Sequence, residues 1–293
     1  MNRLKPAAFT YLAPTSLSDA LALLSEYGDG AKILAGGQSL VPVLNFRMGR
    51  YEQLIDLNRI AELSYIRLES ETLCIGATTR YRSIEVSDIA ARYAPLLVEA
   101  THHVAHLPIR TRGTVGGSLS HADPAAEYPA VMLALKADFV IASVAATRRV
   151  KADVFFTGPM ATVLNGDEVL TEIRIPVRTN TQGFAFEEVS RRKGDFALVG
   201  VAAAVTLNSD RIADARIAVC GLESQASRMT EAEHILHGAK PDTQTIARAA
   251  RAAAEMAAAQ NDLHATASYR RHLVSVLTQR ALERAVTDAG YSV

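Results

Sequence analysis

The chain has 293 residues, of which 31 are basic and 31 acidic, so its formal net charge is zero. Dedicated binders of nucleic acid or of anionic membranes gain affinity from an excess of basic residues, so the charge balance argues against both classes. A hydrophobic content of 49% excludes disorder of the whole chain. The two cysteines, Cys74 and Cys220, are too few for a disulfide scaffold or a four-cysteine iron–sulfur site.

Both cysteines stand in apolar, strand-like runs, which indicates buried free thiols and favours a cytoplasmic location. No stretch approaches the ~18–20 uninterrupted apolar residues that span a bilayer, so no integral membrane segment is expected.

The first part of the chain alternates predicted helices and strands. Ser16 is predicted to cap a helix that Gly28 and Gly30 end. Asp123 followed by Pro124 is predicted to begin a helix that runs to about Leu135. A loop is predicted from Ile109 to Gly117. The other predicted elements are helices over 81–92 and 95–106 and strands over 31–35, 54–57, 65–68, 72–77, 139–143, 150–155 and 169–175.

The pattern changes after Pro176, and we place a domain boundary near residue 177. Three strand-like runs separated by turn residues predict a small antiparallel sheet, over 184–189, 197–207 and 212–220. The remainder is predicted to be helical, over 230–237, 243–260 and 268–288.

Two segments share one form: an extended run that ends in a glycine pair and a small polar residue. They are Ala31–Ser39 and Arg112–Ser118. Glycine pairs let the backbone approach a ligand closely, and successive amides can form an anion-binding nest, although a tight turn explains one such loop equally well. Two of them predict a diphosphate site. Asp123 and Glu127 follow closely and are candidates to accept hydrogen bonds from ribose, with helix capping as the alternative for Asp123.

The standard nucleotide-binding motifs are missing, because the sequence has neither a Gly-x-Gly-x-x-Gly after a strand nor a P-loop. His102 and His106 have a spacing that zinc can use on a helix, but no third ligand accompanies them, and surface or packing roles are the alternative. His121 is the better candidate for a cofactor contact. The basic segment from Arg191 to Phe196 is either a charged turn or a rim over a cofactor or partner.

Three segments resemble the flavin-binding motifs of the FAD subunit of molybdenum hydroxylases: Ala35–Leu40, Thr114–Ser118 and His121–Glu127. The pattern is most similar to medium subunits of the aerobic carbon monoxide dehydrogenase type and more distantly to the FAD domain of xanthine dehydrogenase. The resemblance covers essentially the whole chain. The sequence departs from the family pattern at Gln38, Thr111 and Glu188, where many relatives have histidine, asparagine and lysine.

The resemblance implies an α+β fold with a two-lobed FAD-binding domain of the vanillyl-alcohol oxidase type. This domain would cover 1–176, with lobes of about 1–57 and 58–176, and an α+β C-terminal domain with the three-stranded antiparallel sheet would cover 177–293. FAD would be bound non-covalently, with no catalytic or metal-binding residues on this chain. The residues implied to contact FAD are Lys32, Ile33, Leu34, Ala35, Gly36, Gly37, Gln38, Ser39, Thr114, Gly116, Gly117, Ser118, His121, Asp123, Glu127 and Leu170.

The function that the resemblance implies is electron transfer within a molybdenum hydroxylase complex. This chain would accept electrons from 2Fe–2S clusters on a small subunit and pass them to an external acceptor. The molybdenum cofactor would lie on a large subunit, and the complex would be a dimer of heterotrimers, active only when assembled. Two alternatives remain: a free-standing FAD-dependent oxidoreductase of the same fold, and a scaffold that has lost its cofactor.

Overall fold

The computed structural model describes residues 6–222 and 224–291, and it is an α+β structure with three principal sheets. The first lobe contains a three-stranded parallel sheet of order β1-β3-β2, whose β2 and β3 end at the same edge. Its elements are β1 (Thr10–Leu12), α1 (Leu17–Tyr27), β2 (Ala31–Leu34), α2 (Leu40–Asn45) and β3 (Gln53–Asp56).

Helix α1 forms where the sequence predicts it. The hydroxyl of Ser16 accepts a hydrogen bond from the amide of Asp19 at 3.1 Å, which caps the N-terminus. Leu21 and Leu24 bury the apolar face, and Gly28 ends the helix with a φ of 51°.

The second lobe contains a five-stranded antiparallel sheet of order β4-β5-β10-β6-β7, which its helices cover. Its elements are β4 (Ile66–Glu69), β5 (Thr72–Gly76), α3 (Tyr81–Glu85), α4 (Asp88–Tyr93), α5 (Pro95–Thr101), α6 (Leu107–Arg110), α7 (Val115–His121), α8 (Glu127–Ala134), β6 (Asp138–Ala142), β7 (Thr147–Lys151), α9 (Ala152–Phe155), β8 (Phe156–Gly158), β9 (Ala161–Thr162) and β10 (Val169–Pro176).

Two predicted helices of this lobe are shorter than the sequence pattern indicates. The helix over 81–92 is divided, because the hydroxyl of Ser87 accepts from the amide of Ala90 at 3.1 Å and caps a new helix. The helix over 95–106 already ends at Thr101. His102 therefore lies at the end of α5, and His106 precedes α6.

Three further predictions in this lobe are wrong. The predicted loop from 109 to 117 contains the end of α6 and the beginning of α7. The predicted helix from Asp123 begins only at Glu127, because the Asp123 carboxylate accepts from the amide of Ala125 at 2.9 Å and closes a tight turn instead. The predicted strand over 150–155 ends at Lys151, and Ala152–Phe155 is one helical turn.

The C-terminal part contains an antiparallel sheet of order β11-β12-β13-β14 and three helices. Its elements are β11 (Gln182–Ser190), β12 (Ala197–Asn208), β13 (Arg211–Cys220), β14 (Ser227–Arg228), α10 (Thr230–Leu236), α11 (Thr243–Met256) and α12 (Ala267–Asp288). The three predicted strands are confirmed. The predicted count of three omits β14, whose two residues are too few to show an alternating pattern.

The C-terminal sheet joins two hydrophobic cores. Along β11, Ala185 packs into the core formed with α10, α11 and α12, whereas the next residue, Phe186, packs into the core of the second lobe. Cys74 and Cys220 are both buried free thiols, as predicted. No helix in the described part of the chain is long and apolar enough to cross a membrane.

Candidate functional site

The structure brings the two glycine segments into contact. A Cβ atom at Gly36 would lie 2.6 Å from the carbonyl oxygen of Arg112 and 2.7 Å from Cα of Gly113. A Cβ atom at Gly117 would lie 3.3 Å from Cβ of Ala35. The glycines therefore allow two pieces of backbone to approach closely, which forms one site from segments about eighty residues apart in sequence.

The first segment offers unpaired amide groups. It connects β2 to α2, and the positive φ of 74° at Gly37 turns the chain there. Within residues 6–222 and 224–291, the amides of Gly36, Gly37, Gln38 and Ser39 donate to no protein acceptor. The Gln38 side chain donates to the carbonyl of Gly36 at 3.2 Å. Four consecutive free amides beside a turn are suited to hold an anionic group such as a diphosphate.

The second segment differs, because its amides already have acceptors within the protein. It is the capped start of α7, where the hydroxyl of Thr114 accepts from the amide of Gly117 at 3.1 Å. The amide of Gly116 donates to the carbonyl of Ala77 at 2.8 Å, and that of Ser118 donates to the carbonyl of Thr114 at 3.1 Å. Free consecutive amides are therefore offered by the first segment, which we call the nest, whereas the second segment packs against it.

Asn58 and Arg80 connect the two segments, and sequence reasoning missed both. The Asn58 side-chain amide donates to the carbonyl of Ala35 at 2.8 Å. The guanidinium of Arg80 donates to the carbonyl of Arg112 and to the side-chain oxygen of Asn58. A signal for Asn58 was present, because it follows β3, and the ends of parallel strands β2 and β3 meet at one edge of the sheet.

The predicted residues before the nest belong to β2, whose backbone pairs with β3. Lys32 is exposed, and its ammonium lies 5.7 Å from the ring centroid of Tyr51. Ile33 and Leu34 are half-buried. Through pairing with β3, these residues fix the position of the segment from Ala35 to Ser39.

The remaining predicted residues differ in their exposure. His121, at the end of α7, and Asp123 are half-buried. Glu127 begins α8 and is 7% exposed, and this burial raises the pKa of its carboxyl to about 7. Leu170 is 3% exposed and packs in the hydrophobic core of the second lobe.

The basic segment from Arg191 to Phe196 is the turn between β11 and β12. It lines a cavity of about 620 Å³ together with Asp123 and its neighbours and with Asp262 and Arg270 from the C-terminal part. The guanidinium of Arg191 lies 3.0 Å from Nδ1 of His264, and both residues line this cavity. A larger cavity of about 740 Å³ between α5 and α12 is lined by His102 but by none of the residues that the resemblance implies for FAD contact.

The histidines do not form a metal site. Nδ1 of His102 lies 3.4 Å from the carboxylate of Glu85, whereas the ring of His106 lies against Gly194 in the turn after β11. The two residues are not on one helix, which removes the basis of the zinc hypothesis.

One other group in the described part of the chain has the spacing of metal ligands: Glu69, Cys74 and Glu172. Its two carboxylates are already paired, since the guanidinium of Arg174 lies 3.1 Å from Glu69 and 2.7 Å from Glu172. Burial raises the pKa of the Cys74 thiol to about 11, which disfavours the thiolate that a metal needs. This group is therefore a structural ion-pair network.

Comparison with known families assigns both parts of the chain. Residues 7–178 match the family described as the FAD binding domain in molybdopterin dehydrogenase. Residues 184–285 match the CO dehydrogenase flavoprotein C-terminal domain.

Curated relatives match over nearly their full length. The chain is 43% identical to the caffeine dehydrogenase subunit beta of Pseudomonas sp. strain CBB1, covering 96% of each chain. It is 37% identical to the carbon monoxide dehydrogenase medium chain of Hydrogenophaga pseudoflava, covering 96% of this chain and 98% of the relative.

Solved structures share the fold. A carbon monoxide dehydrogenase structure from Hydrogenophaga pseudoflava superposes with a TM-score of 0.95 at 37% identity, covering 97% of this chain and 99% of that chain. Quinoline 2-oxidoreductase from Pseudomonas putida 86 gives a TM-score of 0.93 at 38% identity, covering 98% of this chain and 100% of that chain. These matches confirm the resemblance and the α+β fold with an FAD-binding domain and a C-terminal domain. The chain belongs to the family of FAD-binding medium subunits of molybdenum hydroxylases.

Proposed function

We propose that this chain is the electron-transfer subunit of a molybdenum hydroxylase complex. It accepts electrons from 2Fe–2S clusters on a small partner subunit and passes them to an external acceptor. The observation that carries the proposal is the row of four unpaired amides from Gly36 to Ser39, held against the start of α7. A row of this kind, in a chain of this family, is suited to the diphosphate of FAD.

The residues present fit non-covalent FAD. We assign diphosphate binding to the amides of Gly36, Gly37, Gln38 and Ser39, with Arg80 supplying positive charge beside them. The residues assigned to the rest of the cofactor site are Lys32, Ile33, Leu34, Ala35, Thr114, Gly116, Gly117, Ser118, His121, Asp123, Glu127 and Leu170. When bound, FAD supplies a redox centre, and the chain's own residues position it and exclude water.

The chain's own composition supports a partner for the redox reaction. Cys74 and Cys220 are both completely buried, on different sheets, so they cannot ligate a cluster together. We therefore place the 2Fe–2S clusters on a small subunit and the molybdenum cofactor on a large one, in a dimer of heterotrimers. Unbridged cysteines support a cytoplasmic location.

The substrate site also belongs to another chain in this proposal. Relatives at 43% and 37% identity come from enzymes named for caffeine and for carbon monoxide. One subunit type that serves such different molecules is expected to handle electrons and to leave substrate recognition to a partner. We further propose that 1–57 and 58–176 are the two lobes of the FAD-binding domain and that 177–293 is the C-terminal domain.

The test compares the isolated chain with the assembled complex. The purified chain should contain FAD that dithionite reduces, yet it should not oxidise carbon monoxide, purines or aldehydes. Dye-reducing activity toward the substrate of the molybdenum subunit should appear only when both partner subunits are added. An isolated chain that oxidises one of these substrates at the rate of the complex would favour a free-standing oxidoreductase and would refute the subunit function.

A further inference from the structure

A buried carboxylate, that of Asp56, lies at the end of the middle strand of the three-stranded sheet. Asp56 is the last residue of β3 and is 7% exposed. A buried carboxylate is costly unless hydrogen bonds compensate it, so its partners show what it holds in place. These partners are Tyr11 in β1 and Asn58, which follows β3.

Three donors share the two oxygen atoms of Asp56. The Tyr11 hydroxyl donates to Oδ2 at 2.5 Å, and this hydrogen bond raises the pKa of Tyr11, so the hydroxyl stays protonated and remains a donor. The backbone amide of Asn58 donates to Oδ1 at 2.9 Å, and the side-chain amide of Asn58 donates to the same oxygen. Because a carboxylate only accepts hydrogen bonds, Asp56 keeps the NH2 end of the Asn58 side chain turned toward itself.

Asn58 itself is exposed, and an exposed side chain that lacks such contacts samples several rotamers. Held by Asp56, the side-chain amide of Asn58 also donates to the carbonyl of Ala35 at 2.8 Å. Its side-chain oxygen accepts from the guanidinium of Arg80. Asp56 therefore fixes a side chain that joins the two glycine segments.

The hydrogen bond from Asn58 acts directly on the nest, because the carbonyl of Ala35 and the amide of Gly36 belong to one peptide unit. This unit is planar and trans, so its carbonyl and its N–H point in opposite directions. A contact that fixes the Ala35 carbonyl consequently fixes the direction of the Gly36 amide, which is the first amide of the nest. Direction matters here, since successive amides bind an anion only when they point toward it together.

We propose that Asp56 is a positioning residue for FAD: through Asn58 it aims the Gly36 amide at the diphosphate and holds Arg80 beside it. A direct contact is unfavourable, because Asp56 and a diphosphate carry the same sign of charge. The inference rests on the proposed function, since it assumes that the nest binds FAD. It deepens that function by assigning part of the cofactor affinity to a carboxylate that does not contact the cofactor.

The test measures FAD affinity by titrating FAD-free variants of the full chain and following the quenching of flavin fluorescence. Asp56→Ala should weaken FAD binding by about fivefold or more, because Asn58 loses the acceptor that holds it. In the Asn58→Ala background, the same change should alter FAD affinity by less than about twofold, because the effects of residues that act through one another do not add.

Two further variants separate positioning from charge and from damage to the fold. Asp56→Asn should bind FAD within about threefold of the unaltered chain, because its side-chain oxygen can still accept from Asn58. Tyr11→Phe serves where Asp56→Ala is too unstable to purify, since Tyr11 is 50% exposed. It should weaken FAD binding by about twofold in the unaltered chain and not in the Asn58→Ala background.

Asp153→Ala is the matched control. Asp153 lies on α9, and its carboxylate accepts from the guanidinium groups of Arg216 on β13 and Arg228 on β14. The variant should unfold at a lower temperature, because these arginines lose their acceptor, yet it should bind FAD with unaltered affinity.

Four outcomes would overturn the inference. Unaltered FAD affinity of both Asp56→Ala and Tyr11→Phe would mean that the carboxylate does not position the nest. A full effect of Asp56→Ala in the Asn58→Ala background would mean that Asp56 acts independently of Asn58. Binding by Asp56→Asn as weak as that by Asp56→Ala would mean that the charge is needed and not the hydrogen bond. An equal loss of affinity in Asp153→Ala would mean that any loss of stability weakens FAD binding. If the unaltered chain does not bind FAD at all, the proposed function itself fails.

Discussion

Replacing Gly36 with alanine should separate the two glycine segments. The added Cβ would lie 2.6 Å from the carbonyl oxygen of Arg112, 2.7 Å from Cα of Gly113 and 3.0 Å from the amide nitrogen of Thr114. All three atoms belong to the backbone, so no side-chain rotation relieves the contacts. The second segment must move, and the contact that places the nest beside α7 is then lost.

The expected cost follows from this geometry. Forcing one extra carbon into a well-packed position costs about 1–3 kcal/mol, and Gly36→Ala should lower the free energy of unfolding of the FAD-free chain by that amount. Gly158→Ala is the matched control, because a Cβ atom at Gly158 would lie 4.0 Å from its nearest neighbour, Cβ of Ala161. The control should change stability by less than about 0.5 kcal/mol.

Urea unfolding of the FAD-free proteins, followed by circular dichroism, measures this cost, and flavin absorbance of the purified proteins measures cofactor content. We expect Gly36→Ala to lose both stability and FAD. If the FAD-free variant is as stable as the unaltered chain, the close packing of the segments is not what requires glycine. Loss of FAD without loss of stability would instead mean that the position faces the cofactor directly.

Three further predictions follow from single contacts. Arg80→Ala should weaken FAD binding by about tenfold or more, because two charge-assisted hydrogen bonds that hold the site together are lost. Arg82→Ala is the control, since it removes only an ion pair at the surface and should leave FAD affinity unchanged. Equal affinities of the two variants in a flavin titration would contradict this role of Arg80. Asp123→Ala should lower the free energy of unfolding by ~1 kcal/mol, because the amide of Ala125 loses its acceptor. Asp123→Asn should keep the stability of the unaltered chain, because the asparagine side-chain oxygen can accept the same hydrogen bond. Equal losses of stability in the two variants would contradict a role of this side chain in closing the turn. Burial raises the pKa of Glu188 to about 8, so its neutral form stabilises the fold below the unfolded pKa of about 4 and this stability is lost as pH rises through about 8. Between about pH 7 and pH 9, the unfolding temperature of Glu188→Gln should therefore decrease less than that of the unaltered chain. An equal decrease of the unfolding temperature in both proteins would contradict this.

Local rules predicted the elements whose formation depends on nearby residues. The cap at Ser16, the end of α1 at Gly28 and the long strands of the C-terminal sheet are all confirmed. The helix predicted from Asp123 is wrong for a local reason as well. A carboxylate can close a two-residue turn or cap a helix, and the sequence does not distinguish the two.

The site depends on contacts that are distant in sequence, so its parts were predicted and its organisation was not. The glycine pairs identified both segments, but their resemblance in sequence conceals different roles. The amides of Gly36 and Gly37 have no acceptor in the described part of the chain, whereas the amide of Gly116 donates to the carbonyl of Ala77, which follows β5. Arg80 carries no signal in its own neighbourhood, because its partners are reached only after the lobe has folded.

Titration of the FAD-free chain with FAD tests the central claim most directly, namely that the free amides of residues 36–39 hold this cofactor. Quenching of flavin fluorescence should reach saturation at one FAD per chain. Inorganic pyrophosphate should compete, because the nest recognises the diphosphate through its backbone. A folded chain that does not bind FAD, or one whose FAD binding is indifferent both to pyrophosphate and to Gly36→Ala, would contradict the assignment.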